Sequence, residues 1–366
     1  MTVVSLFQLG PVHEEVSLGF CQALLKLGVD VKVWLHQESF NKKGDVYSYF
    51  SGKTRIDIRY HSTKLNKYAE TDLLHKVLDD KPDLIILLTL QNTQTEYVAD
   101  FFVRQNIRVA GVVHNNVLIR KSKVLSEAFN SGKYCPLFLS PHVKRDSADW
   151  NVNSKSFVVY NVFSPNLVVN RQSNEHIFSI LGGVSWKRLA YDELMQAVIS
   201  NKDRWTKRLR LQIVGGGADR ALIQEIAQQN GIENIFMFSD LDSGSKMTSY
   251  SKYYECLSGA DAVLCLPRKG VFNSVAISKI TSSVPSALSF GKPLICSPEL
   301  AQRHHVCSSS VTGSNLSDQI NNMLDEFDAY SSYSHLNQAA LVLREVMDDS
   351  NVKVLSQFID SVHAGS

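Results

Sequence analysis

Three stretches of the sequence carry residue types that could hold an anion. In the first, the apolar run LRLQIV ends at Gly215-Gly216-Gly217 and a helical pattern follows at once. Glycines there let a ligand approach the backbone, and the helix start offers free N–H groups to an anion. The same run also serves as an ordinary tight strand-to-helix turn. Ala218, Asp219 and Arg220 break the G-x-G-x-x-G pattern, so a dinucleotide fingerprint is not indicated. In the second stretch, Gly182-Gly183 precedes Ser185 and the cationic pair Lys187-Arg188. Ammonium and guanidinium groups suit phosphate oxygens, and arginine binds them in bidentate fashion. In the third, Thr281, Ser282, Ser283 and Ser286 surround Val284-Pro285. Their hydroxyls and N–H groups at a helix start serve equally for capping and for anion binding. Arg268 and Lys269 follow the apolar VLCLP segment, either as further phosphate contacts or as a solvated loop pair.

The first half carries acid–base candidates. His13, Glu14 and Glu15 lie where the first apolar run hands over to a helix, and His114 ends the run VAGVVH. Any of His13, Glu14 and Glu15 could serve as a general base given reach and a suitable pKa. The competing role for the two acids is favourable charge in a first helical turn. His304-His305 has no acidic or cysteine partner at ligand spacing and reads as a loop feature. Arg120, Lys121 and Lys123 form a small basic patch, either a solvated helix start or an attraction for anionic lipid headgroups.

Short apolar runs that alternate with amphipathic stretches must position these groups. Such runs suit parallel strands covered on both faces by crossover helices. Strands are expected over 3–6, 29–35, 56–60, 84–88, 109–113, 137–139 and 157–160, with helices clearest over 14–27, 69–78 and 95–105. The text turns polar over 164–175, and the alternation then restarts. Further strands are expected over 178–181, 211–214, 235–238, 262–266 and 293–296, with helices over 191–199, 220–229, 251–257 and 285–290. The tail from about 316 to 362 reads as helices alone. Strand–helix alternation that pauses and restarts implies two doubly wound α/β domains facing each other.

The composition agrees with two such domains. The chain has 366 residues, 44% hydrophobic and 20% charged, as in ordinary soluble proteins. Lysine and arginine total 38 against 36 acids, a net charge of +2, so no global field steers nucleic acid, and no reader motif is present. The six cysteines lack ligand or disulfide-scaffold spacing, which points to a reduced, cytoplasmic setting with no structural metal. No apolar run approaches the ~20 residues of a membrane helix.

The succession of segments resembles a known family. FSILGGVSWKRLAYDELMQAV from Phe178, the Gly215 segment, the VLCLP strand and TSSVPSALSFGKPLICSP from Thr281 stand in one order. That order resembles the donor-binding domain of GT-B glycosyltransferases, within the large retaining family that includes sucrose- and mannose-transferring enzymes. The segment from Phe138 to Pro165 resembles the family's approach to its interdomain linker, and the first half resembles its acceptor domain. The resemblance implies an acceptor domain over 1–168, a nucleotide-sugar domain over 169–350, and a final helix in 351–366 crossing back onto the first. It implies transfer of a sugar from a UDP or GDP sugar to a glycan or lipid-linked acceptor. Retention of configuration and a place in surface polysaccharide assembly are its finer expectations. No cofactor or metal is implied, and the setting is cytoplasmic, at or near the inner membrane face.

By the same resemblance Lys187, Arg188 and the helix start at Thr281–Ser283 hold the diphosphate, and His114 contacts the donor sugar. The departing phosphate deprotonates the acceptor. Two departures stand out: Ser278 and Ser286 occupy the positions of the family's paired glutamates, and Gly183 replaces an arginine. A bacterial polysaccharide branch with A-L-S-F-G-K-P comes closer to Ser282-Ser283 and 287–293. Two other readings share the fold: a sugar-nucleotide epimerase, and a non-catalytic partner that has lost the donor site.

Overall fold

The computed structural model describes residues 2–63, 67–147, 156–169, 175–241, 247–268, 280–329 and 335–363. Seven strands form a first parallel sheet: β1 (Val3–Phe7), β2 (Asp30–His36), β3 (Asp57–His61), β4 (Leu84–Leu87), β5 (Arg108–Val113), β6 (Cys135–Phe138) and β7 (Phe157–Val158). Six form a second: β8 (His176–Leu181), β9 (Leu209–Val214), β10 (Phe236–Phe238), β11 (Ala262–Leu264), β12 (Leu294–Ile295) and β13 (Ser310–Val311). The orders are β3-β2-β1-β4-β5-β6-β7 and β10-β9-β8-β11-β12-β13. Both reverse direction beside their first strand, at β1/β4 and β8/β11, where doubly wound sheets open a crevice at the carboxyl ends. The central strand β4 is apolar throughout because helices cover both faces of the sheet, and all four of its residues are buried.

The strands lie within a residue or two of their expected positions. Ser310–Val311 is an addition to them, because two residues carry no periodic signal. The first helix differs in kind: a 3-10 turn at Glu14–Val16 precedes the α-helix Ser17–Lys26. The final helix expected in 351–366 is not a separate element; its described part lies within one helix, His335–His363.

That helix spans both sheets. Near its start Asn337 donates to the Gly291 carbonyl, and Arg344 donates to the Ser289 carbonyl. Further along, Asp348 receives Gln22 and Lys26, and Asn351 bonds both the N–H and the carbonyl of Tyr160. Leu355, Phe358 and Ile359 then enter the core around β1 and β2. Tyr250 and Tyr254, on helix Tyr250–Gly259 of the second half, join the same core. Tyr254 sits among Tyr49, Phe163 and Phe290, so aromatic rings fill the seam between the two halves.

Candidate functional site

The carboxyl ends of the two sheets contribute facing loops. After β1 the chain reaches His13 in the left-handed conformation, φ 69° and ψ 22°. This is an uncommon conformation for a side chain larger than glycine, and it sets the entry to the 3-10 turn. The His13 ring stacks on His114, with centroids 4.0 Å apart and planes 22° from parallel. His114 is buried at the end of β5, with Nε2 2.7 Å from the Leu88 carbonyl oxygen. A carbonyl only accepts, so Nε2 carries the proton and Nδ1 the lone pair. Burial, with the charge of His13, pushes the His114 pKa down to about 3. His114 is therefore a neutral ring behind His13.

The adjacent acids behave differently. Glu14 is buried, and it accepts from Tyr250 Oη at 2.7 Å, Lys43 Nζ at 2.8 Å and Gln8 Nε2 at 3.2 Å. Held by three donors, it ties the two halves together and is not free to take a proton from a substrate. Glu15 lies 3.3 Å from Tyr250 Oη, whose single proton goes to Glu14 at 2.7 Å, and 3.9 Å from His13 Nδ1. Burial raises its pKa, but His13 and the Lys43 ammonium outweigh burial and hold it at about 2.

On the other side the two glycine loops press against each other. Val184 N–H donates to the Gly216 carbonyl at 2.9 Å. A Cβ at Gly215 would lie 2.3 Å from the Gly182 oxygen, and one at Gly217 2.1 Å from the Val184 oxygen. Those two glycines serve loop-to-loop approach, whereas Gly182 has nothing within 4 Å of its Cβ position. Arg220 secures the turn by donating to the Gly215 and Ser239 carbonyls and covering the Phe238 ring.

Between these loops lies a cavity of about 230 Å³. Glu15, Lys43, Gly182, Gly183, Gly215, Gly216, Tyr250, Tyr253, Ser282 and Ser286 contribute to its wall. Of the residues singled out in the sequence, Glu15, Gly182, Gly183, Gly215, Gly216, Ser282 and Ser286 thus meet. Tyr253 Oη donates to Ser286 Oγ at 3.2 Å; burial pushes the phenol pKa up to about 12, so it stays a donor.

Other candidates lie around the wall or are engaged elsewhere. Lys187 and Arg188 are exposed on the turn after Gly183, beside the half-buried Ser185. Arg268 buckles that turn, donating to the Trp186 carbonyl at 2.7 Å and to Asp192 at 2.9 Å. Its guanidinium is therefore engaged in holding the fold. Thr281 is half-buried and Ser283 buried, and the short helix Ser283–Ser289 begins without a side-chain cap. Lys269 and Ser278 lie outside the described residues. In the basic patch Arg120 pairs with Asp146 at 2.8 Å, while Lys121 and Lys123 are exposed, Lys123 lying 3.7 Å from Glu127. His304 and His305 lie on the turn after the helix Pro298–Arg303, as expected, but the His304 ring is buried, 4.5 Å from that of His142 in the first half.

Sequence reasoning missed Lys43, Tyr250 and Tyr253. The tyrosines carried a signal, since Tyr250, Tyr253 and Tyr254 recur at helical spacing on one face; Lys43 carried none. Among the described residues, no group of three or more His, Cys, Asp or Glu could hold a metal ion, and no helix is long and apolar enough to cross a membrane.

No protein-family model matches the chain, and no curated protein matches it in sequence. Its fold does match solved structures. The Anabaena Alr3699/HepE complex with UDP gives a TM-score of 0.64 at 13% identity, covering 100% of both chains. A mutant of S. aureus TarM, in complex with fondaparinux, α-GlcNAc-glycerol and UDP, gives 0.63 at 9% identity over 99% of this chain and 100% of that one. WaaG, a glycosyltransferase involved in lipopolysaccharide biosynthesis, gives 0.57 at 12% identity over 99% of each chain. With its two parallel-sheet domains, the chain has the Rossmann-like GT-B fold of these glycosyltransferases.

Proposed function

We propose that this GT-B chain transfers a glycosyl group from a UDP or GDP sugar to a glycan or lipid-linked acceptor, with retention of configuration, in surface polysaccharide or glycoconjugate assembly. The observation that carries the reading is the cavity between the facing carboxyl edges, with glycine loops on one wall and the Lys43 ammonium on the other. Backbone N–H groups and a fixed cation in a partly dry site stabilise charge that develops on a leaving diphosphate. Lys187 and Arg188, exposed on the adjoining turn, supply further cations, so the reading calls for no divalent ion.

In the transfer, the bond from the anomeric carbon to the diphosphate oxygen breaks and the bond to the acceptor oxygen forms. The acceptor proton passes to the departing diphosphate. Glu14 is locked by three donors and takes no part as a base. With His114 buried behind it, His13 presents the outer ring of the stack, and contact with the sugar falls to His13. The reaction belongs in the cytoplasm at the inner membrane face, where Lys121 and Lys123 meet anionic headgroups.

Melting the protein with UDP, GDP and CMP tests the reading. A nucleotide at 100 times its Kd adds about 2.7 kcal/mol and raises the midpoint by several degrees. The expected result is one clear winner among the three. No response to any of them would overturn the reading and favour a partner protein without a donor site. Turnover of the matching nucleotide sugar without acceptor, faster than hydrolysis, would instead identify an epimerase.

A further inference from the structure

Glu14 and Glu15 are neighbours in sequence with opposite surroundings. The Glu14 carboxylate is buried and receives three donors, at 2.7, 2.8 and 3.2 Å. The Glu15 side chain is 34% exposed and lines the cavity. Around it stand its own backbone N–H, Tyr250 Oη at 3.3 Å and His13 Nδ1 at 3.9 Å, the last two long for a charged acceptor. An ionised carboxylate offers about four lone-pair positions and no donor. Glu15 thus keeps acceptor capacity open toward the cavity.

Among the described residues, no other carboxylate shares that wall. Lys43 only donates, and the Ser286 hydroxyl already accepts from Tyr253. A nucleotide sugar bound here brings phosphates that only accept and sugar hydroxyls that donate. Two adjacent hydroxyls present two O–H groups at a spacing that both oxygens of one carboxylate can receive. Resting on the donor reading above, we propose that Glu15 receives a vicinal diol of the nucleotide sugar, from the domain opposite the glycine loops. The ligand is then held by both domains: phosphates against the glycine loops, diol against the 3-10 turn after β1. Ser286 requires no acid beside it, because the acid arrives from across the cleft.

The diol belongs either to the ribose or to the transferred hexose, and one experiment separates them. Affinities of UDP, 2′,3′-dideoxy-UDP and UDP-glucose, and of the same three guanosine compounds, are measured by calorimetry for the wild type and Glu15→Gln. Loss of a charge-assisted hydrogen bond is expected to cost roughly 10-fold in affinity for ligands that carry the diol. If the ribose is held, the preference for the diphosphate over its dideoxy analogue collapses in Glu15→Gln. If the hexose is held, the preference of the glucose ester over the diphosphate collapses instead. Retention of both preferences overturns the inference, including the case where all affinities fall together, as a merely structural role would produce. Failure of every compound to bind the wild type overturns the donor reading itself.

Discussion

At the scale of single residues, Lys43 sits where charge, seam and cavity meet. Its ammonium is 2.8 Å from the buried Glu14 carboxylate and covers the Tyr250 ring at 5.5 Å. Removing one partner of a buried pair leaves the other charge uncompensated, at a cost of about 3–5 kcal/mol. Tyr250 and Gln8 still serve Glu14, so Lys43→Met is expected to lose about 2–3 kcal/mol in urea denaturation. A loss below about 0.5 kcal/mol would place the pair among exposed bridges of little value. None of this was readable in the sequence. The spacing of Glu14 and Glu15 gave two equivalent acids, and the left-handed His13 and the 3-10 turn decide which one turns inward. Ser286 was readable as an absent acid, but the acid facing the same cavity lies 271 positions away in the chain, and no local pattern links them.

At the scale of elements, the helix His335–His363 joins the halves, and at its centre polar contacts stand beside the apolar ones of Met347 and Val352. Asn351 is fully buried and closes two bonds to the Tyr160 backbone, at 2.7 and 2.8 Å. Asn351→Ala leaves the Tyr160 N–H without a partner, while the Tyr160 carbonyl keeps its bond from the Val162 N–H, and is expected to cost about 1–3 kcal/mol, measured as a lower urea midpoint. An unchanged midpoint would mean that water replaces the side chain and that the helix is held by Leu355, Phe358 and Ile359. Central strands such as Leu84–Leu87 were legible because a parallel sheet buries both faces and writes unbroken apolar runs. The extent of the last helix was not, because its buried residues serve three separate cores in turn, Leu336 one, Ala340 and Met347 a second, and Leu355, Phe358 and Ile359 a third, so no single periodic face runs through it.

At the scale of the whole molecule, both halves carry histidines buried as neutral rings, which makes the fold sensitive to acid. His61 bonds the Gln8 carbonyl at 2.7 Å, and burial lowers its pKa to about 4. Burial likewise lowers His114 and His304 to about 3, the latter with help from His142 and His305. An unfolded histidine titrates near 6.5, so below that value the unfolded chain binds protons that the folded chain refuses. Stability is therefore full above about pH 6.5 and is lost as the pH falls from there toward 4. Each ring contributes up to about 1.4 kcal/mol per pH unit, and the three together remove roughly 4 kcal/mol by pH 5.5. The carboxylate Glu15, held at about 2, loses its contribution only below its unfolded value near 4.5, outside this window. A urea midpoint that drops steeply between pH 7 and 5.5 is the expected outcome. A flat midpoint across that range would mean that the three rings accept protons without disturbing the fold, and that their burial is not what limits stability in acid.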